Sequence, residues 1–253
     1  MTQQTVFISD IHLNEHQPAI TERFIHFLEN NQASIEKLYI LGDLFDYWIG
    51  DDDHSPLKQS ISQALKKCAD AGVEIYFIHG NRDYLIGKKF AQSCGMILLN
   101  EKTVISLYGK TTLLMHGDLL CTDDHAYQKY RRIMFSPIIK KICVLPPLWL
   151  RRKIAKKLRK VSQDSNSIKS MDIMDVSNDS VIGALRESQA ELLIHGHTHR
   201  QTIHEVSVDG KSAQRIVLGA WENNLGNALI VSETQVPRFI NFDQALTFTI
   251  PTK

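Results

Sequence analysis

Short apolar runs, rich in β-branched and aromatic residues, alternate with amphipathic stretches over roughly the first 200 residues of the chain. Five of these runs are almost continuously apolar, which is typical of strands buried on both faces. They are Val6–Ile8, Leu38–Leu41, Val73–Ile78, Thr112–Met115 and Glu191–Ile194. Because Ile20–Asn30 and Pro56–Ala71 have helical periodicity, the early part of the chain predicts a βαβα order.

The pattern changes after His199, where strands are separated by glycine, asparagine and proline turns. These later strands are predicted at Thr202–Val208, Arg215–Gly219, Ala228–Val231, Arg238–Phe242 and Leu246–Ile250. We therefore expect an α/β fold of the layered α+β kind, in which two packed mixed β-sheets are flanked by helices. Since no repeat and no Ser/Gly-rich linker divides the chain, we expect a single domain over residues 1–253.

A helical insertion is predicted at about residues 125–170, between the fourth and fifth of the buried strands. Within it, the segment Lys153–Val161 places Ile154, Leu158 and Val161 on one face of a helix, and most of the remaining positions are cationic. We expect this insertion to lie over the body of the protein.

The composition is that of an ordinary folded protein, with 43% hydrophobic and 23% charged residues, and it excludes disordered and collagen-like chains. The net charge of +1 hides an asymmetry, because residues 125–163 contain twelve basic residues and no acidic one. The other 17 basic residues face 28 acidic ones, which gives the rest of the chain a net charge of −11. The twelve, called the basic island below, are Lys129, Arg131, Arg132, Lys140, Lys141, Arg151, Arg152, Lys153, Lys156, Lys157, Arg159 and Lys160.

The sequence also bears on the compartment. Four cysteines show no C-x-x-C spacing, so we expect reduced thiols and a cytoplasmic setting. The first residues lack the basic-then-apolar pattern of a signal peptide. The longest apolar run, Ile142–Leu150, has nine residues and two prolines, whereas a membrane span needs about 20 apolar residues. We therefore expect no transmembrane helix.

Polar residues suited to metal binding follow each of the five buried strands. The segments are Asp10-Ile-His12, Gly42-Asp43-Leu-Phe-Asp46, Gly80-Asn81-Arg82-Asp83, His116-Gly-Asp118 and His195-Gly-His197-Thr-His199. Ligands of open α/β sheets bind beyond the carboxyl ends of the strands, so we expect these segments to meet in one crevice. The Asp-x-His and His-x-His spacings point both side chains the same way in extended backbone. Mixed oxygen and imidazole ligands favour manganese, iron or zinc over calcium, and the lack of cysteine ligands argues against a structural zinc.

The order of these five segments resembles the pattern D-x-H, GDxxD, GN(H/R)(D/E), H and GHxH of the calcineurin-like metallophosphoesterase superfamily, over about residues 5–200. The resemblance implies that superfamily's fold and a pair of metal ions that activate water for attack on phosphorus. It implies one metal held by Asp10, His12, Asp43 and His199, and a second held by Asp43, Asn81, His116 and His197, with Asp43 bridging. The implied catalytic residues are Asp43, Asn81, Arg82 and His116.

Arg82 departs from the pattern of the many members that carry histidine at this position. Arginine is a permanent cation and cannot act as a general acid, so it suits a leaving group that needs no proton. A phosphate monoester that leaves from a pyrophosphate is such a group, and we expect Arg82 to stabilise its charge instead. We therefore expect a preference for phosphoanhydrides over simple alkyl phosphomonoesters.

Three segments, Gly42–Asp52, Gly80–Gly87 and His116–Asp124, are similar to the UDP-2,3-diacylglucosamine diphosphatase family of lipid A biosynthesis. This resemblance implies water attack on the α-phosphorus of UDP-2,3-diacylglucosamine, which gives UMP and 2,3-diacylglucosamine 1-phosphate (lipid X). It also implies two Mn²⁺ ions and an insertion that forms a lid over the acyl chains and the sugar phosphate. The positions that match the family's substrate contacts are Asn81, Arg82, Asp124, Ser162, Asn166, Lys169 and His197.

A diacylated substrate lies in a membrane leaflet, so we expect a peripheral monomer at the cytoplasmic face of the inner membrane and no nucleic-acid partner. Basic residues and an amphipathic helix suit an anionic lipid surface, and Leu148, Trp149, Leu150, Ile154 and Leu158 are the candidate apolar contacts. Other hypotheses remain open. The insertion's apolar side packs on the core; the enzyme acts on soluble nucleotides, protein phosphates or DNA ends; or the chain is a non-catalytic scaffold of the same fold.

Overall fold

The computed structural model describes residues 4–168, 175–222 and 225–242, and for residues 159–168 it describes the backbone alone. The strands within these residues are β1 (Gln4–Ile8), β2 (Ile35–Leu41), β3 (Glu74–Ile78), β4 (Met96–Leu98), β5 (Thr103–Leu107), β6 (Lys110–Leu114), β7 (Leu192–His195), β8 (Thr202–Val208), β9 (Lys211–Val217), β10 (Gly226–Ser232) and β11 (Gln235–Phe242). The α-helices are α1 (Pro18–Asn31), α2 (Pro56–Asp70), α3 (Lys88–Cys94), α4 (His125–Met134), α5 (Pro137–Val144), α6 (Leu148–Ile168) and α7 (Asn178–Ser188).

Two mixed sheets form the centre of the fold. The first has the strand order β11-β10-β1-β2-β3-β4, in which β1 to β4 are parallel and β10 is antiparallel to β1. The second has the order β5-β6-β7-β9-β8, with parallel pairs on both sides of β7. Apolar side chains from both sheets form one buried cluster between them, including Phe7, Leu41, Ile78, Leu114 and Ile194. The expectation of two packed mixed sheets is confirmed.

Helices cover the outer face of each sheet, as the apolar periodicity of the sequence requires. Helices α1 to α3 pack on the first sheet through a cluster that contains Phe24 and Leu65, and α7 packs on the second through Leu185. Local signals set the helix ends: Ser55 accepts a hydrogen bond from the Lys58 amide at the start of α2. The protein is therefore built as helix, sheet, sheet and helix layers.

Several short elements were not predicted from the sequence. Helix α3 has seven residues and strand β4 has three, which is too short for an apolar period to stand out. Strand β9 begins at Lys211, before the predicted Arg215, because Asp209 and Gly210 form a tight hairpin turn with positive φ angles. The predicted strand Leu246–Ile250 lies outside the described residues.

Helices α4, α5 and α6 occupy the segment predicted as an insertion and connect β6 with the second half of the chain. Proline at the first position of α5 and the pair Pro146-Pro147 before α6 separate the three helices. Within the described residues, no helix is both long and apolar enough to cross a membrane.

Candidate metal centre

The segments that follow β1, β2, β3, β6 and β7 meet at one edge of the two sheets, as the sequence predicted. Backbone hydrogen bonds tie them together. The Asp10 amide donates to the Gly42 carbonyl at 3.1 Å, and the His12 amide donates to the Asp43 carbonyl at 3.0 Å. The Gly196 amide donates to the His116 carbonyl at 2.8 Å, which joins the two segments from the second sheet. The crevice is therefore a framework of bonded loops.

Several predicted ligands adopt a left-handed backbone that side chains other than glycine rarely adopt. Such a residue costs on the order of 1 kcal/mol or more and persists where the surrounding structure fixes it. The φ angles are 53° at Asp10, 54° at His12, 54° at Asp43, 71° at His197 and 60° at His199. This concentration at one place indicates that the loops are shaped to aim these side chains into the crevice.

Asp10, His12 and His199 form the first cluster of possible ligands. Asp10 is fully buried, and its Oδ2 accepts hydrogen bonds from Ser9 Oγ at 2.6 Å and the His197 amide at 2.9 Å. Its Oδ1 lies 3.4 Å from His199 Nε2, which in turn lies 3.3 Å from His12 Nε2. One carboxylate oxygen is thus held by the protein while the other faces two imidazoles.

Asp43 lies between the two predicted halves of the site. Its Oδ1 accepts a hydrogen bond from the Arg82 amide at 2.9 Å. Its Oδ2 lies 4.0 Å from His12 Nδ1 on one side and 3.7 Å from His116 Nε2 on the other. The position suits a carboxylate that bridges two cations.

His116 and Asn81 bring their acceptor atoms together in the second half. His116 Nδ1 is 2.8 Å from the Leu41 carbonyl, and its Nε2 is 3.0 Å from Asn81 Oδ1. When His116 is protonated, it donates to both oxygens; in the neutral ring whose Nδ1 donates to the Leu41 carbonyl, Nε2 instead presents a lone pair toward the crevice. The neutral arrangement is the usual one for a metal-ligating histidine held by a backbone carbonyl.

The pKa shifts in the crevice differ in direction from one side chain to the next. Burial raises the pKa of Asp43 to about 7. Burial opposes protonation of His116, but the Asp43 and Asp10 carboxylates outweigh it and raise the pKa of His116 to about 9. Burial lowers the pKa of His12 to about 3, and its Nδ1 has no hydrogen-bond partner within the described residues. The donor set and this orphaned nitrogen fit a divalent cation.

His197 completes the predicted second set. Its ring packs edge-on against His116, with ring centroids 5.0 Å apart. Burial lowers the pKa of His197 to about 4, so the ring is neutral and able to act as a ligand. The seven residues predicted as ligands are therefore brought to one crevice, although which cation each one binds stays a prediction.

Two residues of the motifs have other positions. His195 is fully buried on β7, and its Nδ1 bonds the Gly196 carbonyl at 2.8 Å, apart from both ligand clusters. Asp83 is also fully buried and accepts hydrogen bonds from the amides of Gly80, Asp43 and Leu44. Sequence reasoning gave Asp83 no role, although a carboxylate directly after the Gly-Asn-Arg turn was a signal. It fixes the Asp43 loop against the Asn81 loop.

The predicted substrate contacts are only partly described. The Arg82 guanidinium lies at the crevice, with Nη1 3.9 Å from Asp46 Oδ1. Asp124 caps helix α4 by accepting a hydrogen bond from the Tyr127 amide at 3.0 Å, so the structure adds a structural role to the predicted contact. The side chains of Ser162 and Asn166 in α6, and Lys169 as a whole, lie outside the described residues.

The insertion is attached to the body through part of the basic island. Arg151 is buried, donates to the Ile49 carbonyl and forms a two-bond ion pair with Asp52. Arg152 Nη2 pairs with Asp53 Oδ1 at 2.6 Å. These long-range pairs could not be found from sequence, because the partners are 99 positions apart. Part of the basic island therefore faces the body, with Arg151 buried and Arg152 paired but still exposed.

Comparison with known proteins was consistent with this geometry. The family model described as calcineurin-like phosphoesterase matches residues 4–201. A UDP-2,3-diacylglucosamine hydrolase of Photorhabdus laumondii is 52% identical over 219 residues, 87% of this chain and 91% of the relative. One of Proteus mirabilis is 52% identical over 217 residues (86% and 90%), and one of an Enterobacter strain is 48% identical over 229 residues (90% and 95%).

Proposed function

The chain belongs to the calcineurin-like phosphoesterase family, in the branch of the UDP-2,3-diacylglucosamine hydrolases, and on that premise we propose that it hydrolyses the pyrophosphate bond of UDP-2,3-diacylglucosamine in lipid A biosynthesis. The products are UMP and 2,3-diacylglucosamine 1-phosphate. The observation that carries the proposal is the convergence of Asp10, Asp43 and His116 with the neighbouring imidazoles in one crevice.

We propose that two Mn²⁺ ions bind there, one on Asp10, His12, Asp43 and His199 and the other on Asp43, Asn81, His116 and His197. When bound, such a pair lowers the pKa of water and offsets negative charge on phosphoryl oxygens. The test is metal analysis of protein purified without chelator. We expect close to two transition-metal ions per chain, and restoration of activity when Mn²⁺ is added to stripped protein. Less than one tightly bound ion, with no response to Mn²⁺, would contradict the proposal.

Arg82 has two proposed roles in this reaction, one for its backbone amide and one for its side chain. Its backbone amide holds Asp43 Oδ1, and its guanidinium lies beside the crevice, where it stabilises charge on the departing phosphate. Since arginine donates no proton, a pyrophosphate should be hydrolysed far better than an alkyl monoester. Equal kcat/KM for a nucleoside diphosphate ester and for a serine phosphate would contradict this.

The position of water attack is tested by isotope labelling. The protein is incubated with UDP-2,3-diacylglucosamine and Mn²⁺ in ¹⁸O-water, and both products are analysed by mass spectrometry. We expect the label in UMP, because attack occurs at the α-phosphorus. Label confined to the sugar phosphate would place attack at the other phosphorus, and an absence of cleavage would remove the proposed substrate.

An open cavity of about 890 Å³ supports the assignment of a lipid substrate. It lies between the body and α5, and Tyr84, directly past the Asn81–Asp83 turn, is among its lining residues. Its lining combines apolar side chains, such as Ile86, Phe90 and Val144, with charged ones, such as Asp53 and Lys140. We propose that acyl chains of the substrate bind in this cavity. The chains are attached to the sugar whose phosphate is proposed to contact Arg82, and the cavity begins next to the Arg82 turn.

The outward face of the insertion supports a further proposal, that the protein acts as a peripheral monomer at the cytoplasmic face of the inner membrane. Ile138 is 69% exposed, Leu145 77% and Trp149 67%, which is unusual for large apolar side chains that lie close together in sequence. Ile154 and Leu158 are also exposed, so the alternative in which the apolar side of α6 packs on the core is wrong at these two positions. Leu148 and Leu150 are half-buried.

Vesicle flotation tests this membrane proposal. Lys153, Lys156 and Lys157 are exposed and have no described partner in the body, so they are replaced together by glutamine. With about 1 kcal/mol per basic residue near an anionic surface, binding to phosphatidylglycerol vesicles should fall by roughly two orders of magnitude. Binding to uncharged vesicles should change little.

The matched control replaces three exposed body lysines, Lys66, Lys110 and Lys211, by glutamine and removes the same charge. It should bind vesicles like the unmodified protein. Equal losses in both triple variants would mean that net charge alone, and not this face, determines binding. Sedimentation of the lipid-free protein checks the monomer.

A further inference from the structure

Asp118 lies two residues after the predicted ligand His116, but its carboxylate belongs to neither ligand cluster. The residue is 1% exposed. Its Oδ2 accepts hydrogen bonds from Tyr127 Oη at 2.7 Å and from Arg131 Nε at 2.5 Å. Both donors belong to α4, the first helix of the insertion. The hydrogen bonds that this buried carboxylate needs are therefore supplied by the insertion to the loop that contains His116 and Asp118, called the metal-centre loop below.

The same face of α4 makes further bonds to this loop. Tyr127, Gln128 and Arg131 lie three to four positions apart or adjacent, which places them on one side of the helix. Gln128 Nε2 donates to the carbonyls of Asp118 at 2.8 Å and Cys121 at 3.0 Å. Arg131 is buried and also pairs with Glu101. Removal of one partner would leave a buried charge or acceptor unpaired, so this contact fixes α4 firmly.

Tyr127 also reaches the predicted ligand His197. The two rings are stacked at an angle of 27° with centroids 6.2 Å apart, and His116 also packs edge-on against the His197 ring. The backbone of His197 is left-handed, with φ of 71°, and its ring is restricted by these two ring contacts. Tyr127 therefore contacts both residues: its hydroxyl donates to Asp118, and its ring stacks on His197.

We propose that Asp118, Tyr127 and Arg131 form a positioning unit that holds the His197 ring in its metal-binding orientation. The inference deepens the proposed function, because it concerns the second cation of that site. It also gives α4 a role distinct from covering the substrate: the helix supports the metal centre. Partners of this kind around a metal ligand are typically worth about 10- to 100-fold in metal affinity.

The experiment is Mn²⁺ titration calorimetry on metal-stripped protein, followed by kinetics on the lipid substrate. Tyr127→Leu removes both the ring contact and the hydroxyl, and Tyr127→Phe removes the hydroxyl alone. We expect Tyr127→Leu to weaken Mn²⁺ binding at one of the two sites by about tenfold or more, and Tyr127→Phe by a smaller factor. At subsaturating Mn²⁺, kcat should fall in the same order, with KM almost unchanged, and excess Mn²⁺ should restore it.

The matched control is Tyr130→Phe, the same chemical change in the same helix. The Tyr130 hydroxyl bonds Tyr84 and not the metal-centre loop. This variant should bind Mn²⁺ with unchanged affinity. Thermal unfolding of metal-stripped protein checks that each variant is folded, and Tyr127→Phe, which retains the ring, decides the case if Tyr127→Leu does not fold.

Wild-type Mn²⁺ affinity at both sites in Tyr127→Phe and in a folded Tyr127→Leu would overturn the inference. So would a rise in KM alone, because Tyr127 would then act as a substrate contact. Failure of the proposed function is distinguishable, since the wild-type protein would then bind Mn²⁺ and yet leave UDP-2,3-diacylglucosamine intact.

Discussion

The metal centre and the insertion differ in which side chains they bury: the first buries polar groups, and the second exposes apolar ones. The metal centre buries carboxylates and imidazoles, holds them by short bonds and fixes its loops in left-handed backbone. The insertion exposes large apolar side chains and is joined to the body by ion pairs at Asp52, Asp53 and Asp118. Buried polar groups need rigid partners, whereas the proposed contact with lipid needs accessible apolar area.

The net charge of +1 is the sum of charges that have different roles in the two regions. The acidic body and the basic island do not simply cancel at a distance. Arg131, Arg151 and Arg152 attach the insertion to body carboxylates, while Lys153, Lys156 and Lys157 remain exposed. These arginines of the island thus hold the insertion on the body, and these lysines form part of its outward surface.

The largest effect is expected at Asp43. Asp43→Ala removes the carboxylate between both halves of the crevice and should lower kcat by at least about a thousandfold, the equivalent of some 4 kcal/mol in the transition state. Initial rates at saturating Mn²⁺ and the metal content measure the effect. Asp70→Ala, on the exposed surface of α2, is the control and should be fully active. Substantial residual activity in Asp43→Ala would remove the bridging role.

A smaller effect separates two histidines of the same strand end. His197→Ala should lower activity about ten times more than His195→Ala, because a lost ligand weakens a metal site more than a lost buried neighbour. His195→Ala should instead lower the free energy of unfolding by about 1–3 kcal/mol, through the cavity and the lost bond to Gly196. Chemical denaturation and steady-state kinetics measure both. Equal losses of activity would show that the ligand assignment is wrong.

Asp83 tests how rigid the crevice must be. Asp83→Asn retains the size of the side chain but has one acceptor oxygen, so part of its amide contacts to the Asp43 loop is lost. We expect about a tenfold lower kcat and about 2 kcal/mol lower stability, with KM unchanged. A raised KM with normal kcat would mean that Asp83 serves substrate binding instead.

The smallest effect is expected where the insertion docks. Arg151→Gln, Asp52→Asn and the double variant form a thermodynamic cycle, and the coupling energy should be about 1 kcal/mol because Asp52 is largely exposed. KM for the diacylated substrate should rise by about threefold, and hydrolysis of a water-soluble nucleoside diphosphate ester should be unchanged. If both substrates were affected equally, the insertion would be part of the catalytic centre and the contrast between the two regions would fail.

The fold and the candidate site were both predictable from the same feature of the sequence, an apolar run followed by polar residues. The buried strands are visible as apolar runs, and each is followed by polar residues that local turn chemistry cannot explain. Sequence reasoning missed α3 and β4, because elements of seven and three residues contain too few positions for a period. It gave Asp83 and Tyr127 no role, since neither residue type nor spacing shows which loop a side chain will contact.

The sequence alone predicts the order in which polar segments follow the buried strands and the residue types of the metal centre. It also predicts the amphipathic, basic character of the insertion. These are local properties of composition and period. The tertiary structure decided which groups meet: Tyr127 with His197, Asp83 with the Asp43 loop, and Arg151 with Asp52. Such pairs join residues 40 to 99 positions apart, and they form because burial leaves each polar group only the partners that the packed layers bring within reach.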